Sequence, residues 1–237
     1  MSITIHHGPP GSFKSFSAVH RFILKELQKG REVWTNVRGC KSLEQIKQLF
    51  PELKFPDTAK LVNFRTAEPV QKELYARWFH WVPFGVCIVL DECQSIYPKH
   101  RAFNPDKLSD IKPILEYIDF NNVQQTFHGE KRPNTLELAF EMHRHFEWDF
   151  IMCTPNISKV HPAIRSCAEF GYRHRSLVGI LPWWTRHYLE IQHDPEVTGR
   201  SPSTWVGVPK RYNKPEEINP CPTIIIKAPS NPIIIEV

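Results

Sequence analysis

The 237-residue chain has no long apolar run. A membrane-spanning helix needs roughly 20 consecutive apolar residues, and the longest apolar clusters, near Val86–Leu90 and Leu177–Trp184, are much shorter. The chain also begins directly with a strand pattern, without the charged and apolar segments of a secretory signal. We therefore expect this chain to be soluble, with no membrane-spanning helix and no leader.

Closely spaced cysteine pairs are missing as well. The six cysteines, at positions 40, 87, 93, 153, 167 and 221, include no C-x-x-C pair, which is the usual spacing in zinc sites and redox motifs. Cys87 and Cys153 fall within predicted core strands. The pattern predicts a reduced, cytosolic chain rather than a disulfide framework or a zinc site.

Charge, length and proline content predict the outline of the chain. The net charge is +5, which is compatible with a nucleic acid or an acidic membrane nearby but does not require one. The length allows one large domain and an appendage, and many of the 21 prolines follow residue 195. We predict one domain over residues 1–190 and a proline-rich extension over 191–237, with short strands at 223–227 and 232–237.

The amino-terminal segment carries the strongest motif. Alternating β-branched residues lead into H-H-G-P-P-G-S-F-K-S, at positions 6–15, and a helical pattern follows to about Leu27. This order of strand, loop and helix is typical of a phosphate-binding P-loop, usually G-x-x-x-x-G-K-[ST]. Its glycines let backbone amides converge on an anion, and the positive end of the helix dipole adds to the attraction. The residues predicted to bind nucleotide are Gly8, Pro9, Pro10, Gly11, Ser12, Phe13, Lys14, Ser15 and Phe16.

Two residues of this loop have specific predicted roles, and a third departs from the motif. Lys14 is predicted to reach the β- and γ-phosphates of a nucleotide, and the Ser15 hydroxyl is predicted to ligate Mg²⁺. Phe13 departs from the usual pattern, because it stands where the last glycine is expected. A bulky residue is acceptable there only if its backbone is already helical, so the motif taken alone is imperfect.

A second motif ends in two carboxylates. The residues from Gly85 to Leu90 are mostly apolar and partly β-branched, which predicts a short buried parallel strand, and Asp91 and Glu92 follow it directly. In nucleotide hydrolases an Asp at such a strand end holds Mg²⁺, and a neighbouring Glu can polarise the attacking water. We predict Asp91 as a second Mg²⁺ ligand and Glu92 as the catalytic base. The alternatives are a solvated acidic turn for the pair and a salt bridge for Glu92.

The rest of the chain alternates strand and helix patterns. Strands are predicted at 31–37, 60–64 and 149–156, and helices at 43–49, 70–81, 134–146 and 160–169. Such alternation, with functional residues at the carboxyl ends of strands, predicts an α/β fold with a doubly wound, mostly parallel sheet flanked by helices. Within it we interpret Trp78 and Trp81 as packing residues.

Three further side chains are candidates for the same site. Asn156 ends the predicted strand at 149–156, and it would contact the γ-phosphate or the attacking water if that strand lies beside the acidic one. Otherwise it ends the strand in a turn. Arg144 and Arg165 are candidate arginine fingers for a neighbouring subunit's γ-phosphate, with ordinary surface arginines as the alternative.

Two clusters of basic residues have ordinary interpretations. His143 and His145 flank Arg144, but residues two apart point to different faces of a helix, so we predict no zinc site there. The segment Arg173–Arg175 either contacts DNA phosphates or forms a solvated face.

Five segments, taken in order, resemble one known family. They are His6–Ser15, Thr35–Gly39, Leu90–Glu92, Met142–His145 and Asp149–Asn156. Together they resemble the cytoplasmic domain of the zonula occludens toxin (Zot) family, the gene I-type assembly proteins of filamentous phages, over roughly residues 1–190. An aromatic residue before the P-loop lysine is a variant associated with one branch of that family.

The resemblance implies a P-loop ATPase that uses ATP and Mg²⁺ to drive filamentous phage assembly and export at the cytoplasmic face of the host inner membrane. It further implies a homo-oligomeric ring, with phage assembly and coat proteins as partners and phage single-stranded DNA as a candidate cargo. Members of the family usually continue into a transmembrane helix and a periplasmic tail. Neither is visible in this sequence, so association with the membrane would need a separate or missing segment.

Two other functions stay open at this point. One is a non-hydrolysing nucleotide-binding switch or scaffold, in which Phe13 distorts the loop. The other is a small-molecule kinase, which needs an arginine-rich lid to which the loop at 99–109 is only a faint match. The absence of an N-K-x-D motif favours ATP over GTP.

Overall fold

An eight-stranded sheet runs through the centre of the protein. The computed structural model describes residues 2–100, 103–109, 116–118, 124–126, 132–177, 188–197 and 210–212. In chain order the strands of this sheet are β1 (Ile3–His7), β2 (Glu32–Thr35), β3 (Lys60–Asn63), β4 (Cys87–Leu90), β7 (Asp149–Thr154), β8 (Phe170–Ser176), β9 (Tyr188–His193) and β10 (Lys210–Tyr212). Two short strands, β5 (Glu116–Ile118) and β6 (Gln124–Thr126), form a separate antiparallel pair.

The strands of the large sheet lie in the order β10-β9-β8-β1-β7-β4-β2-β3. Every pair from β8 to β3 is parallel, whereas β9 and β10 add to β8 as an antiparallel edge. The prediction of an α/β fold with a mostly parallel sheet is therefore confirmed. The order also places β7 between β1 and β4, so the strand that ends near Asn156 separates the P-loop strand from the acidic strand.

Helices connect the parallel strands. They are α1 (Lys14–Ser17), α2 (Leu24–Gln28), α3 (Leu43–Leu49), α4 (Pro69–Ala76), α5 (Leu136–Glu141) and α6 (Pro162–Ser166). Between α1 and α2 the segment Ala18–Ile23 continues the helix with π-helical geometry. The long helix that follows the P-loop is thus present as predicted, with a locally widened turn.

Three predicted helices are shorter than expected. The helix predicted at 160–169 is limited to α6, Pro162–Ser166. The helix predicted at 70–81 ends at Ala76, and a 3₁₀ turn follows at Trp78–His80. The helix predicted at 134–146 is wrong in its second half, because α5 ends at Glu141 and the chain turns before β7. Trp148 drives this turn, since its fully buried ring contacts the ring of Trp78 at a centroid distance of 4.7 Å and its amide donates to the carbonyl of His143.

Successive side chains of the parallel strands point to opposite faces of the sheet, and both faces are buried. In β4, Cys87 and Val89 belong to the core beneath α1, α2 and α3, while Ile88 and Leu90 belong to the core beneath α4, α5 and α6. A run of apolar residues is required for a strand covered on both faces. Trp78 and Trp81 are both buried in the second core, which confirms their packing role.

The sheet extends past residue 190. Strand β9 runs across that predicted boundary, and β10 lies within the predicted extension. The strands predicted at 223–227 and 232–237, and Cys221, fall outside the described residues. Among the described helices none combines the length and the apolar composition that spanning a bilayer requires.

Candidate nucleotide-binding site

The loop between β1 and α1 has the backbone geometry of a P-loop. Gly11 has φ 75°, in the left-handed region that favours glycine. At Gly8 a Cβ atom would lie 2.4 Å from the backbone oxygen of His174 and 2.8 Å from Ser12 Oγ, so no side chain fits there. The two glycines of the motif are therefore required by a bend at one position and by close packing at the other.

The backbone of Phe13 is not right-handed helical. Its φ and ψ are 65° and 21°, which is the left-handed conformation, so the condition for a bulky residue at this position is not met. For a residue with a Cβ this conformation costs about 1–2 kcal/mol. The ring of Phe13 stacks on Tyr188 at a centroid distance of 5.5 Å and an interplanar angle of 23°. We attribute the tolerance of a bulky residue here to this contact.

Two polar groups of the loop are buried within it. Lys14 is only 8% exposed, and its Nζ donates a hydrogen bond to the carbonyl of Pro9 at 3.1 Å. Burial lowers the pKa of Lys14, while the nearby Asp91 and Glu92 act in the opposite direction. Ser12 Oγ is buried without a hydrogen-bond partner among the described residues. An ammonium group and an unpaired hydroxyl in a glycine-bounded turn suit a phosphate group.

Ser15 and Asp91 are in direct contact across the sheet edge. Ser15 Oγ donates to Asp91 Oδ2 at 2.8 Å, which brings the predicted Mg²⁺ ligands together at the carboxyl ends of β1 and β4. Burial raises the pKa of Asp91, and the hydrogen bond from Ser15 partly offsets this rise. A hydroxyl and a carboxylate are hard oxygen ligands, so this pair fits Mg²⁺.

Asn36 fixes the position of Asp91, a role that the sequence analysis did not predict. The Asp91 amide donates to Asn36 Oδ1 at 2.6 Å, and Asn36 Nδ2 donates to the Asp91 carbonyl at 2.9 Å. Asn36 directly follows β2, the strand beside β4. The available signal was a polar residue just after a parallel strand, within the Thr35–Gly39 segment that carries part of the family resemblance.

Glu92 and Asn156 lie at the same edge of the sheet as the P-loop. Glu92 is exposed, has φ 51°, and accepts a hydrogen bond from the side chain of Gln94. Asn156 Oδ1 accepts hydrogen bonds from the amide of Ser158 at 3.0 Å and its hydroxyl at 2.9 Å, and so caps a 3₁₀ turn. The turn interpretation of Asn156 therefore holds in this structure. The catalytic roles of both residues stay predictions.

The candidate arginine fingers lie away from this loop. Arg144 precedes β7 and pairs with Glu169, whose amide bonds to Ile3 at the start of β1. Arg165 donates to the carbonyl of Glu196 at 3.3 Å. Arg144 thus lies at the amino edge of the sheet, opposite to the P-loop, and within one chain the structure does not bring it to the nucleotide site.

The two basic clusters are divided between core and surface. His174 is fully buried, whereas Arg175 is exposed, so the segment Arg173–Arg175 is not one continuous solvated face. His143 is buried and His145 is exposed, so these two imidazoles do not share a surface.

Comparison with known proteins adds an independent line of evidence. The sequence profile of the family described as Zonular occludens toxin (Zot) matches residues 2–218. The Zona occludens toxin of Vibrio cholerae is 37% identical over 183 residues, which are 76% of this chain and 42% of that protein. The chain thus corresponds to less than half the length of that relative.

Solved structures resemble this fold. The N-terminal domain of zonular occludens toxin from Neisseria meningitidis matches with a TM-score of 0.50 and 16% identity, over 91% of this chain and 95% of that one. The genome packaging NTPase B204 from Sulfolobus turreted icosahedral virus 2, solved in complex with ATP-gammaS, gives a TM-score of 0.48 and 11% identity, over 90% of this chain and 97% of that one. With its P-loop NTPase fold and a family match over most of its length, the chain belongs to the zonular occludens toxin (Zot) family.

Proposed function

We propose that this chain is an ATP-hydrolysing motor for filamentous phage assembly and export at the host inner membrane. The observation that carries the proposal is the 2.8 Å contact between Ser15 and Asp91, next to the buried Lys14. These residues are the groups that a triphosphate and its metal require, and they meet at one edge of the sheet. Membership of the Zot family supplies the biological setting.

Nucleotide binding follows from the loop. Backbone amides around Gly11 and the start of α1 would hold the phosphates, and the Ser12 hydroxyl would gain the partner that it lacks. Lys14 would exchange the neutral carbonyl of Pro9 for the β- and γ-phosphates. Ser15 and Asp91 would hold Mg²⁺, which neutralises phosphate charge when it is bound.

Hydrolysis needs a group that positions water beside the γ-phosphate. Glu92 follows the Mg²⁺ ligand and is exposed at the carboxyl edge, where it would accept the proton of the attacking water. Asn156 ends the neighbouring strand and would orient the same water once its contacts with Ser158 are released. Arg144 lies at the opposite edge, so only Arg144 of an adjacent subunit in a ring would reach this site.

The assembly-level proposal rests on the family. We propose a homo-oligomeric ring whose partners are phage assembly and coat proteins, with phage single-stranded DNA as candidate cargo. Association with the inner membrane would come through a separate segment or partner. Comparing DNA-stimulated with coat-protein-stimulated turnover would identify the cargo.

ATP turnover by the purified chain tests the enzymatic proposal. We expect Mg²⁺-dependent release of phosphate, reduced at least about 100-fold by Lys14→Ala and by Glu92→Gln. The two variants separate binding from chemistry, since Lys14→Ala weakens ATP binding and Glu92→Gln retains it. Asp106→Asn, which changes an exposed carboxylate in a surface turn, is the matched control and should keep full turnover.

A non-hydrolysing switch or scaffold is the second candidate. Phe13 favours it, because a bulky side chain on a left-handed backbone stands where the motif has its last glycine. Tight ATP binding without turnover in the assembled state would favour the switch over the motor. Turnover that requires a small-molecule acceptor would instead support the kinase alternative.

A further inference from the structure

A buried cluster of ligand-type side chains lies behind the P-loop. It consists of His6 on β1, His174 on β8 and Glu190 on β9, which are 1%, 0% and 1% exposed. His174 and Glu190 face each other across the antiparallel pair, and His6 lies on the neighbouring parallel strand. We call these three residues the His-His-Glu cluster. Sequence patterns gave no sign of it, because its members lie up to 184 positions apart (190 minus 6).

The three donor atoms have the spacing of ligands around one metal ion. His6 Nδ1 lies 2.9 Å from His174 Nε2 and 3.6 Å from Glu190 Oε1, and His174 Nε2 lies 3.9 Å from the same oxygen. A point equidistant from the three atoms is about 2.0 Å from each, which is the length of zinc–nitrogen and zinc–oxygen bonds. An ion at that point would need no movement of the strands.

Hydrogen bonding alone explains this arrangement poorly. Only one proton fits between the two ring nitrogens, and Glu190 Oε1 lies beyond hydrogen-bond distance from both. The three donor atoms therefore lie around one point, with at most one proton shared between the two imidazoles. A metal ion binds the neutral form of an imidazole, through a ring nitrogen that carries no proton.

Residues around the cluster orient the ligands. The guanidinium of Arg21 pairs with the other oxygen of Glu190, which leaves Oε1 directed towards the imidazoles. Thr4 Oγ1 lies 3.4 Å from His6 Nε2, the ring nitrogen that would not bind the metal. Such partners hold metal ligands in position. Because Arg21 also compensates the charge of Glu190, we expect weaker binding than at a carboxylate without a cationic partner.

We propose that the His-His-Glu cluster is a binding site for a divalent transition metal, with zinc as the best fit, and that it supplies three of the four ligands of a tetrahedral ion. Two imidazoles and one carboxylate suit zinc and not Mg²⁺, which prefers oxygen ligands only. The ion would join β1 to β8 and β9. The backbone oxygen of His174 lies against Gly8 of the P-loop. The ion would therefore also stiffen the strand against which the P-loop packs. This site is distinct from the Ser15–Asp91 pair.

Zinc content and zinc-dependent stability test the proposal on the full chain. The protein is stripped with a chelator, titrated with ZnCl₂, and examined by elemental analysis and thermal unfolding. We expect about one zinc per chain and a melting temperature raised by about 5–10 °C at roughly 100-fold excess over the dissociation constant. Trace zinc only, with no change in melting temperature, would overturn the proposal.

Substitutions locate the ion. Glu190→Gln and His174→Gln should each abolish stoichiometric zinc, whereas the control His193→Gln should retain it. His193 is also buried and pairs with His7 at 2.6 Å, but it lies on the other face of the sheet. If all three variants retained one zinc per chain, the ion would lie elsewhere and the proposal would be overturned.

A spectroscopic test on the unmodified sequence covers the case in which the variants do not fold. With Co²⁺ in place of zinc, the proposed site gives visible d–d absorption and no thiolate charge-transfer band, because no cysteine belongs to it. A thiolate band would assign the metal to a cysteine and contradict the proposal. None of these measurements depends on ATP turnover, so the outcome is independent of the motor hypothesis.

Discussion

The central parallel strands and the edge formed by β8 and β9 bury different kinds of side chain. Residues Cys87–Leu90 of β4 are all buried and apolar, and most of β7 is the same. The edge strands bury His174, Glu190 and His193 instead. Apolar side chains need only space and shape, whereas buried polar groups need specific partners. The centre therefore contributes stability, and the edge, together with the histidines of β1 that contact it, is the part that protons or metal ions can affect.

Removing a ring from the central strands should give the largest loss of stability. Phe150 in β7 is fully buried and contacts the rings of Trp78 and Phe140 at centroid distances of 4.4 and 5.1 Å. Phe150→Ala should lower the free energy of unfolding by about 3–5 kcal/mol. The matched edge variant is Phe170→Ala in β8, where the Phe170 side chain is 39% exposed. This variant should lower the free energy of unfolding by less than about 1.5 kcal/mol. Urea unfolding measures both, and equal losses would remove the contrast between the two regions.

The second prediction concerns the polar end of the central strands. Asn36→Leu removes two hydrogen bonds to the backbone of Asp91, so Asp91 would no longer be held against Ser15. We expect ATP turnover to fall about 10- to 100-fold, as for other residues that position a metal ligand. Asn63→Ala is the control, because Asn63 donates to the backbone carbonyls of Cys40 and Lys41 and not to the backbone of Asp91. Unchanged turnover in Asn36→Leu would show that Asp91 is positioned without it.

The third prediction uses pH to separate the two regions. Burial lowers the pKa of both His7 and His174 to about 3, against about 6.5 in the unfolded chain. Below pH 6.5 the unfolded chain binds protons that the folded chain does not, so stability falls as the pH drops towards 3. Between pH 7 and pH 5, each of these two imidazoles should lower the free energy of unfolding by on the order of 1–2 kcal/mol.

Urea midpoints at pH 7 and pH 5 measure this effect. His7→Gln should reduce the difference between the two midpoints, because it removes one of the titrating rings from the His7–His193 pair. Phe150→Ala should lower both midpoints and leave their difference unchanged, since it removes no titratable group. Equal midpoints for the parent chain at the two pH values would contradict the assignment of neutral histidines to β1 and the edge strands.

Sequence patterns predicted the central strands well and the edge poorly, for a physical reason. Lys14 and Ser15 are adjacent in the chain, and a buried apolar run ahead of Asp91 indicates a parallel strand with its functional residue at the carboxyl end. Parallel packing then brings the two motifs together. The His-His-Glu cluster instead depends on strand pairings between distant segments, and no local pattern records these.

Two other differences have local causes that the sequence does not reveal. The periodicity of 134–146 suits a helix, but burial of Trp148 against Trp78 requires a turn before β7, and tertiary packing overrides the local preference. Phe13 breaks the glycine pattern because a contact from β9, the ring of Tyr188, lies beside it. In both cases the deciding partner lies far away in the chain.

The smallest expected effect tests that last contact, which joins the P-loop to the edge strands. Phe13→Gly relieves the left-handed backbone but loses the stack on Tyr188, so these two changes nearly cancel in the free energy of unfolding. Phe13→Ala loses the stack and keeps the strained backbone, so it should be less stable than Phe13→Gly by about 1 kcal/mol. At an ordinary helix start alanine would be the more stable of the two, so the order of these variants reports the backbone conformation. Thermal or urea unfolding of both variants measures this order. A more stable Phe13→Ala would mean that residue 13 has a right-handed helical backbone.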